Sequence, residues 1–207
     1  MDLRGDWYIF AGAALFVAIF VYALISAALL TARRVRNGPA MPPQFKNNPP
    51  LEIAGVAIPF LFVIGLFYVT YVREVKVDAV EPGPYATVDV TASQWTWQFQ
   101  YPGHAISVTG TPQNPPVLVL PLEKTTQINL VSADVVHAFW IPGFLFKRDA
   151  TPGYTMHFDI TPNRTGVFPG ACAEYCGLDH ALMRFQVKVI PQAVYDRWIA
   201  SGGNAAI

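Results

Sequence analysis

The chain has 207 residues, 53% of them hydrophobic and 14% charged, with 14 basic side chains against 14 acidic ones. A formal net charge of zero, with no basic run and no phosphate-cradling glycine loop, excludes the usual nucleic-acid footprint. Only two cysteines, four histidines and four methionines are present, so a cluster that uses both cysteines, two histidines and a methionine carries weight.

Trp7 to Ala32 contains no charged residue, and neither does Ile53 to Val72. A helix needs roughly 20 apolar residues to cross a bilayer, so both stretches read as transmembrane helices, at about 7–32 and 53–72. A cleaved signal peptide is the competing reading of the first stretch. It fits poorly, because the run is too long and Leu29-Leu30-Thr31-Ala32-Arg33-Arg34 does not resemble a small-residue cleavage site. The connection carries Arg33, Arg34, Arg36 and Lys46 with no acid before Glu52, whereas the N-terminal stub offsets Arg4 with Asp2 and Asp6. The excess of positive charge predicts a cytoplasmic connection, with both termini on the outer face. Residues 1–76 thus form a transmembrane hairpin in this reading, and everything after about Arg73 lies in the outer aqueous compartment.

From Val77 the pattern changes to alternation at period two. Ile128 and Leu130 alternate with Gln127 and Asn129. Tyr154, Met156, Phe158 and Ile160 alternate with Thr155, His157 and Asp159, and Phe185, Val187 and Val189 with Gln186 and Lys188. Each reads as a strand with one buried face. Turn signals at Glu81-Pro82-Gly83-Pro84, Tyr101-Pro102-Gly103, Asn114-Pro115-Pro116, Thr151-Pro152-Gly153 and Thr161-Pro162-Asn163 fall at strand-sized intervals. Residues 77–190 are therefore expected to form an antiparallel sandwich or Greek-key barrel, followed by a short helix and tail over 191–207. His157 falls on the wet side of its strand and His104 follows a Pro-Gly turn, which leaves His137 and His180 as the interesting pair.

Those two belong with Cys172-Ala173-Glu174-Tyr175-Cys176-Gly177-Leu178-Asp179-His180-Ala181-Leu182-Met183. Thiolate, imidazole and thioether together suit copper, because soft sulfur holds Cu(I) and imidazole serves both oxidation states. The plainer alternatives are a Cys172–Cys176 disulfide, expected in an oxidising compartment, or two small buried thiols. Neither accounts for His180 and Met183 at short fixed offsets.

With these residues the chain resembles subunit II of the haem–copper cytochrome c oxidases over nearly its whole length. The family motif is Cys-x-Glu-x-Cys-x-x-x-His-x-x-Met, with a histidine some thirty-five residues earlier. The resemblance implies a membrane-anchored all-β protein, a two-helix transmembrane hairpin followed by a cupredoxin-like Greek-key β-sandwich that holds a binuclear copper centre, CuA. It implies Cys172 and Cys176 as bridging thiolates, His137 and His180 on one copper each, Met183 as a weak axial ligand and the Glu174 carbonyl as the other. The side chain of Glu174 would hold a magnesium or manganese ion shared with subunit I.

The same resemblance implies that electrons arrive from cytochrome c, or another outer-face donor, and pass to haem in subunit I. Subunit I would reduce dioxygen to water and pump protons. The chain would then be a multi-pass protein of a bacterial-type cytoplasmic (inner) membrane, with its copper domain on the periplasmic face and other oxidase subunits and lipid as neighbours.

Two further segments match. In Gln94-Trp95-Thr96-Trp97-Gln98-Phe99-Gln100-Tyr101 alternation places all four aromatics in a sandwich-core stripe, whereas the resemblance implies that Trp95 is a surface residue accepting electrons from the donor. Glu52 lies seven residues before Pro59, the spacing found where a carboxylate sits at the mouth of a proton-uptake channel. An acid favoured at a helix start by the helix dipole explains it equally well. Lys147-Arg148-Asp149-Ala150-Thr151-Pro152-Gly153 and Asp134 also follow the family and are expected to organise the region beneath the copper. Tyr154 and Ala171 depart from it, standing where Arg and Gln are common; neither removes a ligand.

Other readings fit less well. Quinol oxidases share the architecture without the copper ligands, and nitrous oxide reductase carries such a copper domain without this hairpin. Copper chaperones with Cys-x-x-x-Cys place their histidine far downstream in an α/β fold, and a mononuclear blue-copper protein needs only one cysteine. Residues 73–207 hold nine basic and eleven acidic side chains, a net of −2. Donor docking is therefore expected through a largely neutral, apolar patch around Trp95.

Overall fold

The computed structural model describes residues 3–35 and 46–207, which fall into two compact units divided between Arg73 and Glu74. The first holds helix α1, Leu3–Val35, and most of helix α2, Pro49–Asp78. The basic connection read as cytoplasmic lies largely at 36–45, outside the described residues. Both helices are apolar on every side, and none of the residues of α2 is buried. At 1.5 Å per residue they exceed the roughly 30 Å hydrocarbon core, so each is long enough to span it with residues to spare. Phe16 and Phe62 meet at 6.4 Å between ring centroids, and Arg73 pairs with Asp6 at 3.0 Å. The start of α1 therefore lies beside the end of the span in α2, as an antiparallel hairpin requires. Both helices outrun their uncharged stretches: charged side chains do not stop a helix, and nothing in α2 breaks it before Glu81-Pro82-Gly83-Pro84.

The start of α2 is capped. The backbone N–H of Leu51 donates to Oδ1 of Asn48 at 3.3 Å, and the N–H of Asn48 donates to Oε1 of Glu52 at 3.2 Å. Pro49 takes the first helical position, where its missing N–H is no loss.

The second unit is a sandwich of two five-stranded sheets. Its strands are β1 Ala86–Ser93, β2 Thr96–Tyr101, β3 Ile106–Thr109, β4 Val117–Pro121, β5 Thr126–Ser132, β6 His137–Ile141, β7 Phe146–Ala150, β8 Met156–Ile160, β9 Gly166–Cys172 and β10 Arg184–Ile190. One sheet runs β3-β2-β1-β5-β8 and the other β4-β10-β9-β6-β7. The pairing is not purely antiparallel as the turn spacing suggested. β1 lies parallel to β5, and β4 parallel to β10, because the chain crosses over between them.

Alternation phases hold for Ile128 and Leu130 and for Phe185, Val187 and Val189, all buried. They fail at Tyr154, which is 60% exposed, because the Pro152-Gly153 turn keeps it ahead of β8. Between the sheets Trp97, Phe139 and Phe185 form one aromatic block, with Phe139 and Phe185 stacked at 4.5 Å and Trp97 set edge-on to both. Gly170 on β9 makes room for it, since a Cβ there would run into the Phe185 ring. Tyr101 ties the sheets together: its hydroxyl accepts from the N–H of Val119 at 2.8 Å and donates to the Val119 carbonyl at 3.1 Å. Helix α3, Gln192–Ala200, closes the far end by burying Tyr195 and Trp198, the latter edge-on to Tyr101 at 5.0 Å.

Candidate metal centre

His137 opens β6, Cys172 ends β9, and Met183 immediately precedes β10. Register brings them together: β6 pairs with β9 through Phe139 and Cys172, and the N–H of Cys172 donates to the carbonyl of Met183 at 2.9 Å. Two neighbouring antiparallel strands thus close the loop that carries Cys176 and His180. A single 3-10 turn, His180–Leu182, interrupts that loop and aims His180 inward.

The donor atoms converge. Cys172 Sγ lies 3.8 Å from Cys176 Sγ, 3.8 Å from His137 Nδ1 and 3.2 Å from the Glu174 carbonyl oxygen. Cys176 Sγ lies 3.5 Å from His180 Nδ1 and 3.8 Å from Met183 Sδ. Both cysteines are free and buried, well beyond the bonded sulfur separation of about 2.05 Å, so the disulfide alternative is not realised. His137, Cys172 and Cys176 offer ligand atoms within 4.8 Å of one another. With Met183 also buried beside them, soft sulfur and imidazole share one enclosed volume, and this is a candidate copper site.

Supporting contacts fix the orientation of His137. Its Nε2 lies 2.8 Å from Oδ1 of Asp134, which leaves Nδ1 turned toward the sulfurs. This is the imidazole–carboxylate pairing that sets the tautomer of a ligating histidine. Burial pushes the Asp134 carboxyl up, but His137 and the N–H groups of Gln94 and Val135 outweigh it and hold the group below its usual range. For His137, burial favours the neutral ring, yet Cys172 and Asp134 overcome it and raise its pKa. Burial raises the Cys172 thiol, and the His137 imidazole with the Ala138 N–H reverses that and lowers it. Cys176 moves the other way, pushed up by burial and by the charge on Cys172.

Trp95 leaves the core stripe. It sits with Gln94 in the tight turn between β1 and β2, half-buried, while Trp97, Phe99 and Tyr101 are enclosed. Its indole N–H donates to the Cys176 carbonyl at 3.2 Å. Gln94 adds two contacts that alternation did not reveal: its side-chain amide donates to the same carbonyl at 2.7 Å, and its backbone N–H donates to Asp134 Oδ2 at 2.7 Å. Its place beside Trp95 at a strand end is the only sequence signal for it. The Glu174 side chain is exposed and lies 3.7 Å from Lys147 Nζ. Arg148 pairs with Asp78. His157 is exposed and bonded to Asn129, and His104 is exposed, as their positions suggested.

Comparison with known proteins agrees with this arrangement. Residues 113–190 match the family described as cytochrome C oxidase subunit II, periplasmic domain. The chain is 36% identical to the probable cytochrome c oxidase subunit 2 of Streptomyces avermitilis, over 94% of this chain and 72% of that one. It is 31% identical to cytochrome c oxidase subunit 2 of Corynebacterium glutamicum, over 91% and 69% respectively. The solved periplasmic domain of subunit II from Bradyrhizobium japonicum superposes with a TM-score of 0.53 at 28% identity, covering 59% of this chain and 96% of that one. The chain belongs to the cytochrome c oxidase subunit II family, the electron-accepting subunit of a terminal oxidase.

Proposed function

We propose that Cys172, Cys176, His137, His180, Met183 and the Glu174 carbonyl would hold a binuclear CuA centre. The observation that carries this reading is the convergence of two free thiols, two imidazole Nδ1 atoms and a thioether, each within 3.8 Å of a cysteine sulfur. When bound, the centre supplies a one-electron couple shared between two metals. The chain's own residues do the rest. β6, β9 and β10 hold the ligands in place, Asp134 orients His137, and the aromatic block of Trp97, Phe139 and Phe185 keeps water from the inner side.

Trp95 is the residue through which electrons arrive from cytochrome c or an equivalent outer-face donor, a role supported by its partial exposure and its bond to Cys176. The ligand loop around it exposes Tyr175 at 79% and Leu178 at 88%, apolar surface suited to a neutral docking patch. Electrons then pass to haem in subunit I, where dioxygen is reduced and protons are pumped. The Glu174 carboxylate holds a magnesium or manganese ion shared with that subunit. Residues 1–76 anchor the chain in the cytoplasmic membrane with both termini outside, 77–190 form the copper domain and 191–207 the terminal helix and tail. Glu52 takes up protons at a channel mouth in addition to capping α2. Copper analysis and electron paramagnetic resonance of the full chain test the centre: two coppers sharing one unpaired electron are expected, and a four-line signal from a single copper overturns it.

A further inference from the structure

Two donors meet on one acceptor at the edge of the metal site. The carbonyl of Cys176 receives the side-chain amide of Gln94 at 2.7 Å and the indole N–H of Trp95 at 3.2 Å, which uses both of its lone pairs. The same Gln94 donates its backbone N–H to Asp134, and Asp134 binds His137. A continuous chain of contacts therefore runs from Cys176 through Gln94 and Asp134 to His137. It joins the irregular loop that carries Cys176 and His180 to the strand that carries His137.

The loop has few other tethers. Between Cys172 and Met183 its regular structure is one 3-10 turn, and Tyr175 and Leu178 point out to solvent. The close approach of the turn is built in from the other side as well. Gly177 has φ +120°, and a Cβ there would lie 3.1 Å from Gln94 Nε2 and 3.2 Å from Trp95 Cζ2. A side chain at 177 is thus opposed by the backbone conformation and by the turn at once.

We propose that Gln94 is a positioning residue of the metal centre. Its amide holds the Cys176 segment of the ligand loop closed against the β1–β2 turn, so that Cys176 is in place before metal arrives and Trp95 keeps its contact afterwards. This inference rests on the reading of Cys176 as a ligand.

The test uses the full chain in detergent, with Gln94→Met, which keeps the length and removes the donor, and Gln94→Glu, which replaces the donor with an acceptor. Gly177→Ala attacks the same contact from the loop. In copper-free protein, iodoacetamide labelling of each cysteine is followed by peptide mass spectrometry. Cys176 is expected to label about fivefold faster in all three variants, the size of one lost hydrogen bond, while Cys172 at the end of β9 stays protected. After copper loading, the variants keep their copper but show a displaced reduction potential. Unchanged labelling of Cys176, equal acceleration of both cysteines, or an unaltered potential overturns the assignment. Failure of the ligand reading itself shows separately, as a copper deficit in the unsubstituted chain.

Discussion

The indole of Trp95 is bonded to the carbonyl of Cys176, so a half-exposed aromatic ring and a buried thiol are separated by a single hydrogen bond and one residue's backbone. Trp95→Ala should weaken donor engagement about thirtyfold, the loss of an aromatic interfacial hot spot, while the chain keeps its copper. Steady-state oxidation of reduced cytochrome c, read as KM against kcat, measures it. Docking through neutral surface also predicts a shallow dependence of that rate on ionic strength; a steep fall from low to moderate salt would locate an acidic docking site instead.

Asp134 serves His137 on one side and the β1–β2 turn on the other. Asp134→Ala should lower copper affinity about 10- to 100-fold, as loss of a carboxylate behind a ligating histidine does. Competition against a copper chelator reads this directly, and retained affinity would remove Asp134 from the supporting set.

The two sulfur types separate by substitution. Cys176→Ser should abolish the mixed-valence signal, because the second thiolate is gone. Met183→Leu should retain copper and shift the potential, because a thioether beside the thiolates would tune the couple more than it holds the metal. An unchanged spectrum in Cys176→Ser would rule out the ligand assignment.

Glu52 offers a clean separation of roles. Glu52→Gln preserves an acceptor for the Asn48 N–H and removes the titrating carboxyl, whereas Glu52→Ala removes both. If the carboxyl carries protons, both variants slow turnover of the assembled oxidase alike. If it only caps α2, turnover survives in Glu52→Gln.

Gly170→Ala drives a methyl group into the Phe185 ring within the aromatic block. Overpacking of this kind costs about 1–3 kcal/mol, so thermal unfolding of the full chain should begin at a lower temperature. An unchanged melting midpoint would mean that β9 and β10 can part without penalty.

The cluster of His137, Cys172, Cys176 and Met183 was legible as a candidate metal site because three of the four lie in one short segment and all are scarce residue types. Strand phases at Ile128, Leu130, Phe185 and Val187 were legible because one face of each strand is fully buried. Trp95 was misplaced by alternation because period two says nothing about where a strand turns back, and Gln94–Trp95 is such a turn. Tyr154 failed for the same reason at Pro152-Gly153. The parallel pairs were illegible in principle, because side chains alternate identically in parallel and antiparallel strands. Gln94 reaches the Cys176 carbonyl, and Gly177 lies close against the Gln94 and Trp95 side chains, contacts that no local pattern encodes.

The parallel pairing of β1 with β5 has a consequence for how the molecule can vary. Because Ala92 lies beside Ser132, both strands finish at the same pole, and the segments that follow them deliver Gln94, Trp95, Asp134 and His137 there together. β9 also ends at that pole and β10 starts from it, so the whole Cys172–Met183 segment joins them. The turns at Pro102–His104, Leu122–Thr125 and Thr161–Thr165 emerge at the opposite pole. Insertions or fused tags placed in those turns fall a full strand length from the donor atoms, which leaves that end of the domain open to evolutionary embellishment and to engineering.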